Sequence, residues 1–209
     1  MRLAVFGASG RTGQEVLRLA VSREWSVRTL VRASSPWRDQ SGVAVLRGAL
    51  DSPSDILETL TGTDATCCVF GPRSPRAEPF CARATGQIIA AMHASGLRRL
   101  VCLTGAMVGE LSRNVSLAMR TMAAVYRRQY PALAGDASEQ ERAVIDSGLD
   151  WTVVKPPRLT TGPLTHRIRA DQALRVGLLS HISRSDLAAF ILDEIAVPHH
   201  LQGRVYISK

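Results

Sequence analysis

The sequence predicts an α/β fold: a doubly wound, mostly parallel sheet with helices on both faces, in one domain with a small substrate-side cap. Three observations carry this reading. Short apolar runs alternate with amphipathic stretches from end to end, which implies parallel strands joined by right-handed crossovers. The run Ala65 to Phe70 is apolar on both faces, as a central parallel strand must be. A glycine-rich turn joins the first run to the first helical stretch. At 209 residues the whole chain, 1–209, suits one domain, its substrate side built mainly from residues 105–135 and 156–184.

The elements follow in order. Leu3 to Phe6 is the first strand, and Thr12 to Arg23 a helix whose face is Gly13, Val16, Leu17, Ala20 and Val21. Val27 to Val31 and Val43 to Leu46 are the second and third strands. Ser52-Pro53-Ser54-Asp55 supplies a capping serine, a proline at the first helical position and an acid at the third, for a helix that stops at Gly62. Ala65 to Phe70 is the fourth strand, Phe80 to Ser95 a helix ended by Gly96, and Leu100 to Thr104 the fifth strand. Val115 to Tyr130 is helical and stops at Pro131; Ala137 to Ser147 forms the next helix, closed by Gly148. Trp151 to Val154 is a strand, Pro156 to Pro163 a loop, and a strand is expected near His166 to Arg169. A helix over Ser185 to Ile195 and a strand over Arg204 to Ile207 complete the pattern.

Composition narrows the function classes. The chain is 45% hydrophobic and 21% charged, within the globular range. It has no run of eighteen apolar residues to span a membrane, and Gly7 interrupts the apolar start too early for a signal-peptide core. Cys67, Cys68, Cys81 and Cys102 show no metal-ligand spacing and read as buried thiols of a cytoplasmic protein; no metal site is expected. The net charge of +8 is concentrated at the two ends: residues 1–50 carry 8 basic and 3 acidic groups, residues 151–209 carry 8 and 4. Without a continuous basic stripe and aromatic platforms, this fits an anionic small-molecule ligand and not a nucleic acid. The expected state is a monomer or homodimer.

Gly7-Ala8-Ser9-Gly10-Arg11-Thr12-Gly13 follows the first strand and opens the first helix. One glycine permits the tight turn, a second lets the backbone approach a pyrophosphate, and a third lets helix and strand pack closely. The helix start offers unpaired N–H groups and a positive dipole end. In this context the turn predicts dinucleotide binding. The second strand ends in Val31-Arg32-Ala33-Ser34-Ser35, with no acid for a ribose 2′-hydroxyl. Arg32 can instead pair a 2′-phosphate, with Ser34 adding a donor and Arg11 flanking, so NADP(H) is the expected cofactor. Ligands in such sheets lie outside the carboxyl ends of the strands. That adds the tips Gly48-Ala49-Leu50, Gly71-Pro72-Arg73, Thr104-Gly105-Ala106 and Lys155-Pro156-Pro157-Arg158.

These segments, with Leu30-Val31-Arg32, Ser147 to Thr152 and Ile182 to Ala188, resemble the atypical short-chain dehydrogenase/reductases. Within them the chain is most similar to the NmrA-like group and the flavin reductase/biliverdin-IXβ reductase branch. The resemblance implies a Rossmann fold, NADP(H), and reduction of flavins, quinones or linear tetrapyrroles. By position it implies that Arg32 holds the 2′-phosphate and that Gly71 to Arg73 wall the cofactor cleft. Thr104 and Gly105 would form the nicotinamide-side loop, and Pro156-Pro157 the loop over the nicotinamide.

The departures concern the chemistry. The Tyr-x-x-x-Lys pair is absent, since Tyr126 is followed four residues later by Tyr130. Gly105 stands where the flavin reductases carry serine, Arg158 where they carry histidine, and Ala49 replaces the acid usual after the third strand. The helix before Ser147 offers Ser138, Glu139 and Gln140 in place of a lysine or histidine. A flavin or quinone accepts hydride without a dedicated side-chain acid. The candidate catalytic residues are Thr104, Lys155, Arg158 and Tyr126, the two cations stabilising charge on an acceptor, unless they serve only as a structural pair or solvated charge. Tyr126 can donate a proton or merely pack. His166 and His181 approach the pocket, while His199 and His200 read as surface residues. Three classes stay open: an NADPH-dependent reductase of a planar, anionic acceptor, a cofactor-dependent isomerase or cyclase without net redox, and an NADP(H)-sensing regulator.

Overall fold

Strand β1 (Arg2–Phe6) is short and apolar because both of its faces are covered. Leu3 and Val5 pack into one side layer, Ala4 and Phe6 into the other. The protein is described by a computed structural model over residues 1–37, 40–72, 74 and 76–209. Helix α1 (Arg11–Ser22), β2 (Ser26–Val31), β3 (Val43–Arg47), α2 (Pro53–Leu60), β4 (Ala65–Cys68) and α3 (Cys81–Ser95) follow β1. Then come β5 (Arg99–Leu103), α4 (Leu117–Gln129), α5 (Pro131–Ile145), β6 (Asp150–Lys155), β7 (Arg158–Thr160), β8 (Arg169–Asp171), β9 (His181–Ser183), α6 (Arg184–Ala196) and β10 (Gly203–Ser208).

The main sheet has the order β3-β2-β1-β4-β5-β6-β10-β8, parallel throughout except for β8, which runs antiparallel to β10. Strand order reverses between β1 and β4, which opens a crevice at their carboxyl ends. Helices α1 and α6 share the core layer of Leu3, Val5, Val101 and Ile191; α2 and α3 pack on the opposite layer of Phe6, Ile88, Cys102 and Val153. This is the expected doubly wound arrangement.

Several elements differ from the sequence reading. The fourth strand ends at Cys68, so Val69 and Phe70 belong to the tip. Helix α5 begins at Pro131, six residues before the expected Ala137: the proline that ends α4 is also the first residue of α5. The strand placed near His166 to Arg169 is β8, at Arg169–Asp171. Arg158–Thr160, read as loop, pairs in parallel with His181–Ser183 in a small separate sheet, a non-local pairing that local pattern cannot announce.

Caps fix the helix starts. Ser52 and Pro53 open α2 as expected, with Ser52 accepting from the Asp55 N–H. Ser183 caps α6, and the Asp186 carboxylate accepts from Thr165 and His166 N–H at 2.7 and 3.0 Å, binding the 163–166 loop to that helix. Helix α3 has no capping side chain of its own; Asp136 of α5 accepts from the N–H groups of Phe80, Cys81 and Ala82. All four cysteines are buried and free, and burial pushes the Cys67 and Cys81 thiols up to about 12, which keeps them protonated.

Candidate functional site

The glycine turn is built around contacts that no side chain tolerates. Gly7 has φ +96°, and a Cβ there would lie 2.7 Å from the Phe70 nitrogen. A Cβ on Gly13 would press into the Gly7 carbonyl oxygen and lie 2.7 Å from the Ala8 Cα, so only glycine lets α1 seat against the turn. The Gly10 N–H donates to the Gly7 carbonyl at 3.0 Å, and Gln14 Nε2 donates to the Ala8 carbonyl at 3.1 Å. The cap residue of α1 is Gly10, which has no side-chain acceptor, and the first turn carries no acid. The amides and dipole at this helix start are left for an anion.

A cleft of 520 Å³ opens above the turn, at the crevice between β1 and β4. Gly7, Ser9 and Gly10 form its floor, Leu30 to Arg32 and Gly48 to Asp51 one wall, Val69 to Gly71 another. Of the expected cofactor residues, the structure brings together Gly7, Ser9, Gly10, Arg32, Ala49, Leu50 and Gly71. Thr12 and Gly13 are buried beneath the turn, while Arg11, Ser34 and Pro72 are exposed beside the cleft and do not line it. Arg73 lies outside the described residues.

The cleft also recruits residues the sequence reading missed. The acid sought at position 49 is present two residues later: Asp51 lines the cleft, 4.0 Å from Arg83 on the opposite lip. Phe80, Arg83, Ala84 and Gln87 supply the α3 wall. Their spacing of three and four residues was the available signal for a shared helix face. The rings of Phe70 and Phe80 pack 5.8 Å apart. Gln87 Oε1 is buried without a hydrogen-bond partner, an acceptor whose cost a ligand donor in the cleft would relieve.

Beyond β5 and β6 the two strand tips are zipped together. The Thr104 N–H donates to the Val154 carbonyl at 3.0 Å, and the Ala106 N–H to the Pro156 carbonyl at 2.9 Å. Thr104 and Gly105 are half-buried, Pro156 and Pro157 buried, and none of the four lines the 520 Å³ cleft. Thr104 Oγ1 is buried without a partner. Arg158 is exposed at the start of β7, opposite His181. Tyr126 is half-buried with its ring 5.5 Å from that of Tyr130, and burial raises its phenol above the ordinary value.

Two expectations are corrected here. Lys155 is fully buried, with Nζ donating to Glu141 Oε2 at 2.5 Å and to the Val108 carbonyl at 2.7 Å. It faces no open space and cannot touch an acceptor. Burial pulls its ammonium below the ordinary value against the opposing pull of Glu141. His200 is not a free surface residue: its Nδ1 lies 2.9 Å from Glu194 Oε2, and its N–H donates to Oε1 at 2.8 Å. Among the described residues, no group of three or more His, Cys, Asp and Glu could hold a metal ion, and no helix is long and apolar enough to cross a membrane.

The sequence model of the NAD(P)H-binding family matches residues 7–198. The chain belongs to the NAD(P)H-binding family. Its cofactor is a nicotinamide dinucleotide, and the glycine cradle, uncapped helix start and orphaned Gln87 acceptor fit such a group. This NAD(P)H-binding protein is 26% identical to YwnB of Bacillus subtilis, over 98% of its own length and 96% of that protein. Among solved structures it is similar to an anaerobillin reductase from Escherichia coli, with TM-score 0.81, 19% identity, and coverage of 100% of this chain and 97% of that one. A protein from Streptococcus pneumoniae named as a candidate NADH-flavin reductase aligns with TM-score 0.80 and 21% identity, covering 100% and 99%. At these identities the structural likeness shows the fold, a doubly wound, mostly parallel α/β sheet as the sequence predicts.

Proposed function

We propose that this protein is an NADPH-dependent reductase that passes hydride to a planar, anionic acceptor of the flavin, quinone or linear tetrapyrrole kind. The observation that carries the reading is Arg32. It lines the cleft at the end of β2, followed by Ala33, Ser34 and Ser35, with no acid on that strand end to claim a 2′-hydroxyl. Its planar guanidinium suits a 2′-phosphate, and the α1 amides suit the pyrophosphate. When bound, the cofactor supplies hydride from its nicotinamide ring. The zipped tips at Thr104 and Pro156 would frame that ring, with the Thr104 hydroxyl as a hydrogen-bonding group, and the exposed Arg158 would draw an anionic acceptor. Solvent supplies the acceptor's proton, so the missing Tyr-x-x-x-Lys pair is no obstacle. The names of the solved neighbours, which concern bilin and flavin reduction, support this class of acceptor.

The test is titration of both cofactors, followed by turnover with flavins, quinones and tetrapyrroles. NADPH is expected to bind more tightly than NADH, and Arg32→Asp to weaken NADPH by about tenfold or more, as for a lost charged hydrogen bond. An unchanged preference in that variant, or no NADPH oxidation with any acceptor, overturns the proposal.

A further inference from the structure

The buried Lys155 lies below the acceptor side of the protein without reaching it. One of its contacts is the Glu141 carboxylate on α5, which is 3% exposed; the other is the Val108 carbonyl, in the loop leaving the Thr104-Gly105 tip. The next residue, Gly109, has φ +64° and passes so close over Glu141 that a Cβ there would lie 2.5 Å from the carboxyl carbon. The same loop is held further along. Arg204 of β10 meets Glu110 at 2.6 Å, and the Tyr206 hydroxyl accepts from the Ser112 N–H at 2.9 Å. The first residues of the loop are zipped to the β6 tip through Ala106 and Pro156.

A buried ion pair gives little net stability, because desolvating the two charges offsets their attraction, and well-packed apolar residues often replace such a pair at no loss. What an apolar pair cannot do is donate to a loop carbonyl. We infer that Lys155, oriented by Glu141, is a positioning residue: it clamps residues 105–112 through Val108, and so sets where an acceptor sits relative to the Thr104 and Pro156 tips. The clamp itself is independent of the chemistry proposed above, whereas its effect on turnover rests on that reading.

The experiment uses the full-length double variant Lys155→Met/Glu141→Met, which removes both charges and keeps the volume. Exposed Arg113, the residue directly after the clamped segment, serves as a trypsin site. The expected result is an intact melting temperature and NADPH affinity, with cleavage after Arg113 faster by about tenfold, as for loss of a charged hydrogen bond. Turnover is expected to fall by up to about a hundredfold, the scale for a misplaced reacting group. Gly109→Ala keeps both charges but forces a methyl against Glu141 at a positive φ, so it is expected to lower the melting temperature through that strain and to speed cleavage at Arg113, and it serves if the double variant fails to fold. Cleavage at Arg113 unchanged in a folded variant overturns the clamp. Faster cleavage with unaltered turnover removes its role in positioning. Should the wild type oxidise no NADPH, the reductase reading fails while the cleavage rates still decide the clamp.

Discussion

Two buried ionic clusters sit at opposite ends of the sheet, and they do different work with the same chemistry. At the amino end, Arg99 of β5 donates to Glu194 of α6 and to Thr152 of β6, and Glu194 also takes His200 from the turn before β10. Regular elements supply most of these partners, so the cluster staples helix to sheet. At the carboxyl end, Lys155 and Glu141 also join a strand to a helix, yet a second ammonium N–H goes to Val108 in an irregular loop. Ligands of α/β sheets gather at the carboxyl ends of strands. The charge pair buried there holds a loop at the ligand end of the sheet, whereas its counterpart at the amino end holds helix to sheet.

Substitutions can break this comparison, and the largest effect is expected at the staple. Arg99→Met leaves Glu194 buried without its guanidinium and should cost about 3–5 kcal/mol. The measurement is thermal unfolding, with the cofactor affinity of the folded fraction unchanged; a small loss would show that the two clusters are energetically alike. Next comes the cofactor floor. Gly13→Ala forces a methyl into the Gly7 carbonyl and the Ala8 backbone, an overpacking cost of about 1–3 kcal/mol, and should weaken NADPH binding along with stability. Removing the Tyr206 hydroxyl with Tyr206→Phe frees the Ser112 N–H, for about 1 kcal/mol. Here trypsin sensitivity at Arg113 should change more than the melting temperature, which sharpens the contrast between loop and staple.

The smallest effect is a pH dependence. Burial pushes the Glu194 carboxyl up, but the hydrogen bonds from His200 and the charges of His200 and Arg99 outweigh it, leaving Glu194 below its ordinary value of 4.5. The unfolded chain therefore takes up this proton first. Its contribution to stability is present above pH 4.5 and is lost as pH falls through the folded value. Denaturant midpoints measured across this acid range should decline less steeply in Glu194→Gln than in the wild type.

Much of the cofactor half was readable along the chain. Gly7 to Gly13 and Arg32 lie next to strand ends that apolar runs mark clearly, and their place at the turn and beside the cleft follows from their immediate neighbours. Asp51 and the α3 wall of Phe80, Arg83 and Gln87 were missed because they enter the cleft from separate segments. At the β5 and β6 tips legibility falls further. Lys155 reads locally as a cation at a strand tip, which is what an acceptor site needs; nothing local reveals that Glu141, fourteen residues earlier, is brought within 2.5 Å of its ammonium.

By itself, then, the amino-acid order determined the alternating elements, the Ser52 cap and the glycine turn, since dihedral preference, periodicity and helix-end hydrogen bonding act over a few residues. The pairing of β7 with β9, the second use of Pro131 and the burial of Lys155 were decided only when distant segments packed. Whether a charge meets water, a ligand or a partner depends on what the fold sets around it, and that environment comes from residues far away in the chain.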